Sequence, residues 1–162
     1  MNHHPILRYV AALPVICCVF LASCRPMDAF EKNVPIPGHK WESSFKPIIN
    51  FDISDTTALY NVYVVLRHKN AYEFNNIWIR GTVQQPADTA QRSMPYDLKL
   101  ANDETGWLGK GMDDIFEHRI LIQPRTRFNR SGQYSFKLEH IMRQDPLLHV
   151  MNVGLRVEKT PG

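Results

Sequence analysis

Cysteine is almost missing from this chain, with three in 162 residues, at positions 17, 18 and 24. Two of these fall inside an apolar leader and the third closes it, so whatever folds downstream has no thiol for a disulfide, a thiolate metal site or a cysteine nucleophile. Its stability must come from packing. A surplus of one charge is lacking too: setting aside Arg8 in the leader leaves 18 Lys and Arg against 16 Asp and Glu. That balance argues against nonspecific nucleic-acid binding, which needs a strong basic excess on one face. Long hydrophobic runs are absent except for Tyr9 to Leu21, which is shorter than the roughly 20 residues a membrane-spanning helix requires. No helical period is sustained, and there is no internal repeat or low-complexity segment. Catalytic signatures are missing as well. No serine sits in a G-x-S-x-G elbow, and His39, His68, His118, His140 and His149 fall in no base motif. Gly106 and Gly109-Lys110 resemble a phosphate loop, but the glycine spacing is wrong and Gly111 stands where Ser or Thr would bind Mg²⁺. An enzyme is not expected.

What is present begins with the leader. Arg8, the uncharged run, small Ala22 and Ser23 and then Cys24 follow the order of a charged region, an apolar region and a cleavage zone. A cysteine directly after the small pair reads as a bacterial lipoprotein processing site, because a thiolate is nucleophilic enough to take a diacylglyceryl group as a thioether. Cys24 is therefore the expected lipid attachment site, carrying diacylglyceryl and N-acyl chains that together anchor stably. No other cofactor and no metal is expected. Arg25-Pro26 follows without the adjacent aspartate that commonly retains lipoproteins in the inner membrane. The expected location is thus the periplasmic leaflet of the outer membrane.

Removing 23 residues leaves 139, enough for one domain with a sizeable core. The expected organisation is a signal peptide at 1–23, an acylated tether at 24–40, a β domain at 41–159 and a tail at 160–162. Pro26, Pro35, Pro37 and Gly38 mark the tether. Beyond it, seven short segments alternate in polarity between turn-forming clusters, which predicts strands. They run from Phe45 to Ile53, Tyr60 to His68, Asn76 to Gln84, Met94 to Leu100, Glu117 to Gln123, Gly132 to Ile141 and His149 to Val157. Pro47 predicts an edge strand, and the apolar run around Val62, Val64 and Leu66 a central one. In the last segment His149, Met151, Val153, Leu155 and Val157 share a face. The fold class expected is all-β: one antiparallel β-sandwich of immunoglobulin-like or jelly-roll type.

Two long connections draw attention. Asn102 to Phe116 exceeds the usual two to six residues and contains Gly-rich sequence with Trp107 and Lys110, so it is either functional or folded back as a flap. Pro124 to Ser131 carries Arg125, Arg127 and Arg130. These five side chains are candidate contacts for a protein partner or a glycan, with Trp107 the aromatic best placed to stack on a sugar. Asp113, Asp114, Glu117 and His118 form the densest carboxylate and imidazole cluster, yet without any metal-binding spacing. Asp55-Thr56-Thr57 and Asp88-Thr89-Ala90 match a short O-glycosylation pattern, which makes Thr56 and Thr89 candidate acceptors.

One family resembles this chain nearly end to end. The residues that carry the likeness are Phe30-Glu31-Lys32, Phe45-Lys46-Pro47, Leu59 to Tyr63, Leu66-Arg67-His68 and Asn76-Ile77-Trp78. Further on come Leu108 to Gly111, Asp114-Ile115, Arg119 to Gln123, Met142-Arg143, Asp145-Pro146-Leu147 and Met151 to Lys159. Together they resemble the gliding-motility lipoproteins of the GldH type. The resemblance implies a membrane-anchored accessory or interaction subunit of the motility and linked protein-secretion machinery. Its partners would be other envelope lipoproteins or secretion and motility proteins. It carries over no catalytic residue, and Cys24 alone transfers as a functional position. A glycan-binding lipoprotein is the alternative.

Overall fold

The computed structural model describes residues 29–160, and Cys24 lies outside them. Among the described residues thirteen strands form in chain order: β1 Ala29–Pro35, β2 Lys40–Trp41, β3 Ile48–Ile53, β4 Tyr60–Lys69, β5 Asn76–Gln84, β6 Gln91–Lys99, β7 Ala101–Asn102, β8 Gly106–Trp107, β9 Lys110–Met112, β10 Ile115–Thr126, β11 Gly132–His140, β12 Leu147–Leu148 and β13 Val150–Lys159. The architecture is all-β, as expected, in two antiparallel layers ordered β1-β13-β4-β10-β9 and β3-β11-β5-β6. Two small pairs, β12 with β2 and β7 with β8, close one end. Among the described residues no helix is long and apolar enough to cross a membrane.

Alternation builds the core. Ile49, Phe51 and Ile53 of β3, Ile77 and Ile79 of β5, and Tyr134, Phe136 and Leu138 of β11 turn inward from one layer. Val62, Val64 and Leu66 of β4 meet them from the other, with Val153, Leu155 and Val157 of β13. Strand β4 lies between β13 and β10 and is the central strand its composition predicts. Phe51 stacks on Tyr134 at 5.6 Å and meets Phe128 edge-on at 5.6 Å. Such pairs contribute about 1 kcal/mol each beyond their area.

Two expectations need correction. Residues 29–35, read as tether, form β1 and pair along β13 from Ala29↔Glu158 to Pro35↔Asn152. Phe30 and Val34 pack against the core, so the folded region starts before Trp41. Gly154 makes that pairing possible, since a Cβ there would stand 1.9 Å from Asn33 Oδ1 and 2.6 Å from the Lys32 carbonyl. The second correction concerns β13. A bulge between Val150 and Asn152 and a left-handed His149 (φ 69°) reverse the alternation at its start. Val150 is therefore buried, while His149 and Met151 are only half-buried.

The sheet margins share a trait. Pro35 lies in β1, Pro95 in β6 and Pro124 in β10, and Pro47 immediately precedes β3, which is an edge strand as its proline predicts. Across the outer face of the larger sheet, Arg156 bridges Glu31 and Glu158 at 3.1 and 2.7 Å, and Arg119 reaches Glu31 and Glu117 at 3.5 and 3.3 Å.

Candidate functional site

The two ends of the sandwich carry the chemistry. The far end holds the termini of β1 and β4 at Pro35 and Lys69, together with the 101–114 connection. That connection folds back as a flap made of β7, β8 and β9. Backbone bonds tie it down, Leu108 N–H to the Leu100 carbonyl at 2.8 Å and Asn70 N–H to the Asp114 carbonyl at 2.6 Å. Trp107 adds a side-chain tie, its Nε1–H donating to Asn70 Oδ1 at 2.8 Å.

Beneath the flap lies a pair of buried imidazoles. His68 Nδ1 sits 2.8 Å from the Lys69 carbonyl, and His68 Nε2 sits 2.9 Å from His118 Nε2. The carbonyl only accepts, so the proton is on His68 Nδ1, and His68 Nε2 accepts from His118 Nε2–H. Both rings are neutral in this arrangement. Burial lowers the His68 pKa, and burial, with the repulsion that a protonated His68 would exert, lowers that of His118 from 6.5 to about 4. Gly109 fits against this pair because a Cβ there would meet the Glu117 carbonyl at 2.6 Å and His118 Nε2 at 2.8 Å. Trp107 packs on His68 with ring centroids 4.4 Å apart and on Phe116 at 5.7 Å. Its ring is thus engaged within the domain, which removes the exposed platform that sugar stacking needs. The exposed tryptophan is Trp78, at 41 %.

His140 belongs to the same end. Its ring is buried against Trp41 at 5.3 Å, and neither nitrogen has a hydrogen-bond partner; Asp145 Oδ1 stands 3.7 Å from Nε2. Burial lowers its pKa, and the Asp145 carboxylate opposes that shift.

At the near end the candidate arginines take different roles. Arg130 donates from Nη1 to the Pro86 carbonyl at 3.2 Å and lies 3.9 Å from Asp88, so it ties the β10–β11 loop to the β5–β6 turn. Arg125 has a left-handed backbone (φ 47°), and its N–H donates to Asn61 Oδ1 at 2.9 Å. Arg127 lines a cavity of about 230 Å³ between the two sheets, with Arg92 from β6 on the same cavity. Tyr96, Phe128, Tyr134 and Phe136 line its apolar part, and no carboxylate lines it. Among the described residues the guanidinium groups of Arg92, Arg125 and Arg127 make no ion pair or hydrogen bond. Sequence reading missed Arg92, whose strand neighbour Val83 gives no hint of the loop it faces across the cavity.

The remaining candidates are dispersed. Lys110 is exposed in the flap beside Gly109. Thr56 and Thr89 lie on the 54–59 and 85–90 connections at the near end, Thr89 exposed and Thr56 half-buried. Asp113 and Asp114 are exposed on the turn before β10, whereas His118 is turned inward to His68. Among the described residues no group of three or more His, Cys, Asp or Glu side chains converges as metal ligands would.

Fold and leader together define a β-sandwich domain carried behind a lipoprotein-type signal sequence. The family follows from sequence comparison: the model for the GldH lipoprotein matches residues 28–157, and the chain belongs to that family. A relative from Christiangramia forsetii, named gliding motility lipoprotein GldH homolog, is 24 % identical over 156 residues, spanning 90 % of this chain and 93 % of its own. The gliding motility lipoprotein GldH of Flavobacterium johnsoniae is 24 % identical over 153 residues with the same coverage. Among solved structures, the VP2 subviral particle of infectious bursal disease virus aligns at 10 % identity and a TM-score of 0.35, over 83 % of this chain and 34 % of that one. That likeness is too slight to carry an argument.

Proposed function

We propose that this chain is a membrane-anchored, non-enzymatic accessory subunit of the gliding-motility machinery and of the protein-secretion apparatus linked to it. It is held in the periplasmic leaflet of the outer membrane by diacylglyceryl and N-acyl chains on Cys24. The observation that carries the reading is the match to GldH lipoproteins over nearly the whole chain, with two relatives named for gliding motility. The Leu21-Ala22-Ser23-Cys24 sequence supports the anchor. Partners are other envelope lipoproteins or secretion and motility proteins, met through the domain surface. The glycan-binding alternative based on Trp107 is not retained, because that ring is packed on His68 and Phe116.

Deleting the gene and measuring surface spreading and secreted protein tests the role: both fall, and complementation restores them. Normal spreading together with normal secretion in the deletion strain would end the proposal. Metabolic labelling with a fatty acid tests the anchor, with label lost in Cys24→Ser. Protease treatment of intact cells tests the leaflet, since removal of the domain would place it on the cell surface.

A further inference from the structure

Four residues separate Cys24 from Ala29, and even fully extended the five Cα-to-Cα steps span at most about 18 Å. Ala29 is the first residue of β1 and pairs with Glu158 near the end of β13. Register carries this position across the domain. Lys159 pairs with Tyr60, and Tyr60 with Thr126 at the end of β10. In the facing sheet, Ile53 pairs with Gly132, and Gln84 with Gln91. Phe128 packs on both Tyr60 and Phe51, and Arg130 holds Pro86, so these strand ends belong to one end of the sandwich. The near end, with its arginine loop, is the end that a lipid on Cys24 would hold against the bilayer.

The charges at that end are not balanced. Its acids are mostly satisfied internally: Asp55 by Lys159 at 2.6 Å, Asp88 by Arg130 at 3.9 Å and Glu158 by Arg156 at 2.7 Å. Among the described residues Asp52 is the exception, alternating onto the outer face of β3 with Ile48 and Asn50. Arg92, Arg125 and Arg127 are exposed and carry positive charge with no partner among the described residues. The flap at the far end instead presents exposed Asp103, Glu104, Asp113 and Asp114 in its turns, against exposed Lys99 and Lys110. Screening confines attraction to about 8–10 Å from a charged surface, a range that the short tether keeps within reach.

From tether length, strand register and unpaired charge, we propose that the near end of the sandwich docks through Arg92, Arg125 and Arg127 on the anionic phospholipid surface of the leaflet that holds Cys24. The flap end then points away from the membrane. A phosphodiester anion suits guanidinium groups through paired hydrogen bonds. Proline in both strands bordering the cavity, Pro95 and Pro124, works against an added peptide strand as the occupant of this end. This inference rests on the anchor reading above.

The test uses the mature acylated chain reconstituted in vesicles of phosphatidylcholine alone or with phosphatidylglycerol. A donor fluorophore is placed on Thr89→Cys at the near end or on Asp103→Cys in the flap, with an acceptor lipid in the bilayer, and only floated vesicles are read. Transfer from Thr89→Cys should exceed that from Asp103→Cys in phosphatidylglycerol vesicles, and the excess should collapse in neutral ones. The triple variant Arg92→Gln, Arg125→Gln, Arg127→Gln should lower the docked-to-free ratio about 100-fold, at roughly fivefold per arginine. An unchanged urea midpoint shows that this variant is folded. Stronger transfer from Asp103→Cys, or a near-end signal indifferent to lipid charge and to the triple variant, overturns the proposal, as it would if an acidic protein or a glycan occupied the arginines. Inorganic phosphate reproducing the phosphatidylglycerol effect on neutral vesicles overturns it as well. The anchor reading fails separately, if the Cys24→Ser chain floats on neutral vesicles as well as the acylated one does.

Discussion

At the far end of the sandwich a flap is clamped by its own backbone over two stacked imidazoles, and a tryptophan is tied down through its indole N–H. At the near end a cavity stays open between the sheets, and three guanidinium groups have no partner among the described residues. Both ends are made of loops joining the same strands, yet one buries its polar groups and the other offers them. The difference teaches that stability and recognition are segregated along the strand axis. Mutations at the far end should be read in unfolding, and mutations at the near end in binding.

The contrast is broken most severely by Trp41→Ala. The indole is fully buried, donates to the Phe45 carbonyl at 2.8 Å and covers His140, so its loss should cost about 3–5 kcal/mol in urea unfolding. A cost below about 1 kcal/mol would show that the far end is not what holds the fold. Gly109→Ala comes next. With a carbonyl and an imidazole inside normal contact distance, it should cost about 1–3 kcal/mol and speed amide exchange across residues 101–114 while exchange at the near end stays put.

Acid gives a smaller and graded effect. His118 binds its proton less readily in the folded state, so the unfolded chain takes up more protons as pH falls and stability falls with it. The contribution is intact above the ordinary value of 6.5 and is lost progressively towards about 4. The urea midpoint measured through that window should decline, and His118→Gln should flatten the decline. Smallest of all is Arg92→Gln combined with Arg127→Gln, which removes no internal bond and should move stability by no more than about 0.5 kcal/mol. A larger loss would mean that the near end is structural after all, and the two ends alike.

Strand content was legible because alternation survives in single segments: β4, β5 and β11 lie within a residue of where their patterns end. What escaped was whatever depends on a distant partner. Strand β1 has only Phe30 and Val34 to mark an inward face and sits among prolines, so it looks like tether until β13 is beside it. The bulge at Val150 is a two-against-one pairing that one strand alone does not encode. His68 and His118 are 50 residues apart, and neither alone points to the other; only the β4–β10 register joins them. The arginine loop was visible as a charge cluster, but its division into one structural and two unpaired members depended on the β5–β6 turn to which Arg130 binds.

The prolines along the sheet margins acquire a meaning once the molecule is thought of as one of many on a surface. An anchored population moves in two dimensions, sides facing sides, and meets its own copies far more often than a dissolved one would. Bare strand edges brought together this way would zip into continuous sheets. Pro35, Pro95 and Pro124, with Pro47 at the threshold of β3, each delete an amide donor at or beside an outer edge. They let the domain be crowded without being polymerised.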